Sequence, residues 1–96
     1  MANYKISIEA KKDLISIFKY SYIEFGISQA ESYLKQLESS IEKLAANPNI
    51  GKARFEIKKG LFSIPELEHI IFYRIFKSHI RIVRILHQKR DLKNFL

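Results

Sequence analysis

Ninety-six residues with 47% hydrophobic and 12% aromatic content give one small globular domain, spanning 1–96, with little room for a deep enclosed pocket. The absence of cysteine excludes a disulfide framework, a thiolate zinc site, an iron–sulfur cluster and a cysteine nucleophile. A formal net charge of +7 points to an anionic partner, either nucleic acid or an acidic protein.

In chain order, Tyr4, Ile6 and Ile8 alternate with Lys5, Ser7 and Glu9, the period-two pattern of a short half-buried strand. From Ala10 the apolar stripe steps by three and four through Leu14, Ile17, Phe18, Ser21 and Phe25. This predicts an amphipathic helix with Lys11, Lys12, Asp13 and Lys19 facing water. Gly26 stops it as a C-terminal cap. Ser28 and Glu31 have capping-box spacing for a second helix, whose stripe is Ala30, Leu34, Leu37, Ile41, Leu44 and Ala45; Asn47-Pro48 ends it. The link between the helices is short enough to force an antiparallel hairpin.

After Pro48 the period changes. Residues 49–60 are polar, basic and bounded by glycine, the pattern of a loop or an edge strand, and Leu61 to Ile64 is a short strand candidate before Pro65. His69 to Phe76 and His79 to His87 are rich in Ile, Val, Phe and Tyr and predict a β-hairpin closed by a loop of about four residues. Its register pairs Ile75 with Ile80 and Arg74 with Arg81. One face then carries Ile71, Tyr73, Ile75, Ile80, Ile82, Leu86 and Arg84, and packs on the helices. The other carries Ile70, Phe72, Arg74, Phe76, His79, Arg81, Val83 and Ile85. Opposed arginines are unfavourable unless an anion covers them or both side chains snorkel to water.

The charge is concentrated. Residues 1–51 hold six Lys/Arg and six acidic residues, whereas 52–96 hold eleven Lys/Arg, four acidic residues and all three histidines. Neither an uninterrupted apolar leader nor an eighteen-residue apolar run is visible, so a cytoplasmic location without a membrane is expected. No carboxylate pair has glycosidase-like placement, His69, His79 and His87 lack metal-motif spacing, and three glycines form no phosphate-binding loop; no metal or cofactor is expected. One catalytic option remains open, acid–base cleavage of RNA, for which His87, Arg84, Arg81 and Arg74 have the right chemistry.

Several segments together carry a family resemblance: SIEAKKDL (7–14), FGISQA (25–30), LAANPNIGK (44–52), GLFSIPELEHIIFYRI (60–75) and IRIVRILHQKRD (80–91). In this order and spacing they resemble the RelE/ParE superfamily of bacterial type II toxins, and the ParE branch more closely. The resemblance implies an α+β fold: an N-terminal strand, an antiparallel two-helix hairpin, a twisted antiparallel β-meander and room for a short C-terminal helix. It also implies a toxin neutralised by a ParD-like antitoxin, a ribbon-helix-helix protein whose acidic C-terminal tail folds over the toxin.

ParE-like members are described as gyrase poisons that trap the enzyme on cleaved DNA, so contact with DNA would be indirect and no catalysis is expected. RelE-like members instead cleave mRNA in the ribosomal A site, which is the alternative. No tyrosine follows Tyr73 in the C-terminal region, leaving His87 as its neutral-range proton carrier there. The expected partner surface comprises Arg74, His79, Arg81, Arg84, His87, Lys89, Arg90 and Phe95. Tyr20, Tyr22 and Tyr33 on the helices are either ordinary surface residues or further contacts.

Overall fold

Ser7 ends the first strand earlier than the alternation predicts. The computed structural model describes residues 3–90, 94 and 96. Strand β1 covers Tyr4–Ile6, and Ser7 caps helix α1 (Ile8–Phe25) by accepting the Ala10 N–H on Oγ at 3.0 Å. Gly26, at φ 90°, ends α1 and begins α2 (Ile27–Ala46), a conformation that glycine adopts without a Cβ penalty. Its carbonyl already accepts the Ala30 N–H, so Ser28 lies inside the first turn and the capping box expected at Ser28 and Glu31 does not form. Phe25, expected on the buried stripe, is exposed beside this turn.

A single 3-10 turn (Pro48–Ile50) leads to the short β2 (Lys52–Ala53), then β3 (Phe62–Glu66), β4 (His69–Ile75) and β5 (Ile80–His87). The sheet order is β1-β5-β4-β3-β2. Strands β2 to β5 form the expected antiparallel meander, and β1 adds to β5 in parallel, making the sheet mixed. Strand β3 runs through Pro65 rather than stopping before it. β2 covers only Phe62 and Ser63, so Pro65 has an open edge where its missing N–H leaves no gap in the ladder. The short C-terminal helix for which room was expected falls in the segment where residues 91–93 and 95 lie outside the described residues.

The core lies between helices and sheet, where Ala10, Leu37, Ile41 and Leu44 meet Ile71, Tyr73, Ile80, Ile82 and Ile85. A smaller cluster of Leu61, Phe72 and Leu86 sits on the other side of the sheet, with Ile57 and Leu96 packed against it. The expected pairs Arg74–Arg81 and Ile75–Ile80 are present, but a β-bulge follows. Phe72 faces Arg84 and Tyr73 faces Ile82, leaving Val83 as the extra residue. Beyond it the two faces exchange: Ile85, expected beside the arginines, enters the helix-side core, and Leu86 leaves it.

The cause is the short β1. It pairs with β5 only as far as Ile82, so α1 takes over the remaining edge. The Ser7 hydroxyl donates to the Val83 carbonyl at 2.8 Å, and the Asp13 carboxylate accepts the Ile85 N–H at 2.9 Å.

Candidate functional site

The expected partner residues fall into three places. At the β4–β5 turn end of the sheet, Arg74 and Arg81 sit opposite each other. Arg74 donates from Nη1 to the Lys59 carbonyl at 2.9 Å, which ties it to the loop before β3, while Arg81 is exposed. His79 stands at the same turn, its Nδ1 3.1 Å from the Ser78 hydroxyl.

His87 lies at the opposite end of that ladder, six residues along β5 from Arg81, or roughly 20 Å at the rise of an extended strand. It pairs with His69, and the two rings meet edge to face at 5.3 Å. The Lys89 N–H donates to His87 Nδ1 at 3.2 Å, so a neutral His87 carries its proton on Nε2, 3.8 Å from a Glu68 carboxylate oxygen. Tyr33 reaches in from α2. Its hydroxyl accepts the Glu68 N–H at 3.2 Å and stands within hydrogen-bond distance of His69 Nδ1, at 2.6 Å.

Burial lowers the pKa of His69, the nearby His87 adds to the effect, and the ring is held neutral. Burial also raises the Tyr33 pKa, so the hydroxyl stays protonated. These groups border a groove of about 900 Å³ that Lys89 and Arg90 also line. A second groove of about 540 Å³, almost wholly apolar, lies between β1 and the helices, bordered by Ile6, Leu14, Phe18 and Leu34.

Arg84 is in the third place. Its Nε and Nη2 donate to the two Asp13 oxygens at 2.8 and 2.9 Å, and the side chains of the pair are only 17% and 12% exposed. The Asp13 hydrogen bond raises the Arg84 pKa further. Asp13, expected to face water, is therefore turned inward, because it has to satisfy both the guanidinium and the Ile85 N–H beyond the bulge. Phe95 lies outside the described residues.

The four groups considered for RNA cleavage are thus separated: Arg74 and Arg81 at one end, His87 at the other, Arg84 bound to Asp13. The residues that do gather around His87 are His69, Glu68 and Tyr33. The spacing of Tyr33 on the stripe side of α2 was a usable signal; its pairing with His69 is a tertiary contact that no local pattern encodes. Among the described residues, no group of three or more His, Asp or Glu side chains is gathered as metal ligands, and no helix is long and apolar enough to cross a membrane.

Two helices on one side of a five-stranded sheet, with β1 parallel to β5, form the fold of RelE/ParE superfamily toxins. A solved structure described as the chromosomal ParDE TA system from P. aeruginosa superposes with a TM-score of 0.77 at 20% identity, covering 91% of this chain and 96% of that one. Residues 4–92 match the family described as ParE toxin of type II toxin-antitoxin system, parDE. Toxin ParE1 of Mycobacterium tuberculosis is 38% identical over 92 residues, 95% of this chain and 94% of the relative. Toxin ParE1 of Caulobacter vibrioides is 32% identical over 96 residues, 100% of this chain and 99% of the relative. The chain belongs to the ParE family of type II toxin–antitoxin toxins.

Proposed function

We propose that this toxin acts in the cytoplasm by binding DNA gyrase and holding it on cleaved DNA, without itself catalysing a reaction. The observation that supports the non-catalytic reading is the separation of His87 from the Arg74–Arg81 pair, which breaks up the four-residue set considered for acid–base cleavage of RNA. A ParD-like antitoxin with an acidic tail neutralises it, consistent with the excess of cationic side chains in the second half of the chain. The expected contacts are Arg74, His79, Arg81, His87, Lys89, Arg90 and Phe95, with Arg84 supporting the strand from within.

A supercoiling assay with purified toxin tests this. Gyrase activity falls and, with ATP, cleaved DNA accumulates; undiminished supercoiling at a large excess of toxin overturns the reading. The groove brings the His69 and His87 imidazoles beside Lys89 and Arg90, which gives the alternative a definite test. If translating ribosomes cut mRNA when the protein is added, and His87→Ala abolishes the cutting, ribosome-dependent cleavage replaces gyrase poisoning.

A further inference from the structure

The parallel pairing of β1 with β5 adds a cation that the arginine pair alone did not reveal. Lys5 is the register partner of Arg81, and Arg81 is the partner of Arg74. The flanking partners Ile6, Ile80, Ile82 and Tyr73 all belong to the helix-side core, so alternation places Lys5, Arg81 and Arg74 together on the outer face. At about 4.8 Å between strands, the row spans roughly 10 Å across three strands. Among the described residues none of the three has a carboxylate partner.

The same end of the sheet carries a flat aromatic pair. Phe76 and His79 stack with centroids 5.1 Å apart and rings 13° from parallel, and Phe76 is 47% exposed. Their backbones continue the ladder, with the Phe76 N–H donating to the His79 carbonyl at 2.8 Å, so both follow the arginines on the outer face.

We propose that the Lys5–Arg81–Arg74 row and the Phe76–His79 platform form a binding site for a single strand of nucleic acid, with successive phosphates on the cations and one base stacked on Phe76. An acidic peptide would use the charges but has no need of a flat exposed ring, whereas every nucleobase presents a face to one. A duplex keeps its bases stacked within the helix and cannot use the platform. This site shares Arg74, Arg81 and His79 with the surface proposed to contact gyrase and the antitoxin, but the inference does not depend on that reading and is tested without gyrase.

Fluorescence anisotropy of a labelled twelve-residue oligothymidylate, titrated with the full chain from 50 to 300 mM salt, reads the binding. For three neutralised phosphates the log–log salt slope is about −2. Arg81→Glu weakens binding about tenfold or more, and Phe76→Ala about fivefold or more. Lys35→Glu, an equal change of net charge on the exposed face of α2, leaves it within about twofold.

Oligouridylate binds within about threefold of oligothymidylate, because neither contact reads the sugar. Each of four results overturns the proposal: no binding at 50 mM salt, equal losses in Arg81→Glu and Lys35→Glu, a same-length duplex binding as tightly with no effect of Phe76→Ala, or binding of polyglutamate but not of either oligonucleotide. Circular dichroism of each variant verifies that it is folded.

Discussion

Asp13→Ala isolates the contact that holds the β-bulge. Asp13 accepts three hydrogen bonds, from Arg84 Nε, Arg84 Nη2 and the Ile85 N–H, all at 2.8–2.9 Å. Removing one partner of a buried ion pair costs about 3–5 kcal/mol, and leaving a buried N–H without an acceptor costs about 1–3 kcal/mol. The two losses share one site and do not add, and slight exposure of both side chains favours the lower values, so about 3–5 kcal/mol in total is expected. A chain of 96 residues is stable by roughly 5–14 kcal/mol. The variant therefore loses a large fraction of its stability, and its Tm falls by roughly 15–30 °C.

Urea unfolding followed by circular dichroism measures this as a lower midpoint at an unchanged slope. Arg84→Met, which leaves Asp13 bonded to Ile85, costs about 1–2 kcal/mol less than Asp13→Ala, because the Ile85 N–H keeps its acceptor. A cost below about 1 kcal/mol for Asp13→Ala, the size of an exposed ion pair, refutes the reasoning and returns Arg84 to the partner surface.

Gly51→Ala brings a Cβ to 2.0 Å from the Tyr73 hydroxyl oxygen, although the backbone at Gly51 has an ordinary φ of −76°. Tyr73 is fully buried and donates to the Pro48 carbonyl at 2.6 Å, so overpacking and loss of that bond together cost about 2–4 kcal/mol, read from the urea midpoint. His69 provides a pH test. Its pKa is lowered in the folded chain from the ordinary 6.5, mainly by burial and then by His87 and Arg90, with Glu68 and Asp13 opposing. As pH falls through 6.5 the unfolded chain takes up the proton first, so stability declines until pH passes below the folded-state value, and above pH 7 this group contributes no slope. His69→Gln flattens stability against pH between 7 and 5; an unchanged slope contradicts the half-buried neutral ring.

The sequence alone determined the elements and their order. Periods of two and of three to four, the glycine at 26 and the Asn47-Pro48 stop depend on neighbours within a few residues, and those rules are local. The Arg74–Arg81 pairing was also legible, because a hairpin turn fixes the register next to it. It could not reveal the bulge at Val83, which exists because β1 stops at Ile6 and hands the edge of β5 to Ser7 and Asp13, more than seventy residues away in the chain. That one event moved Ile85 into the core, turned Asp13 inward and removed Arg84 from the exposed cations. Tertiary structure likewise decided that Tyr33 meets His69 and that Lys5, from the electrically neutral half, completes a cationic row. Each depends on a contact between distant segments, made when β1 docks on β5 and α2 packs against the sheet.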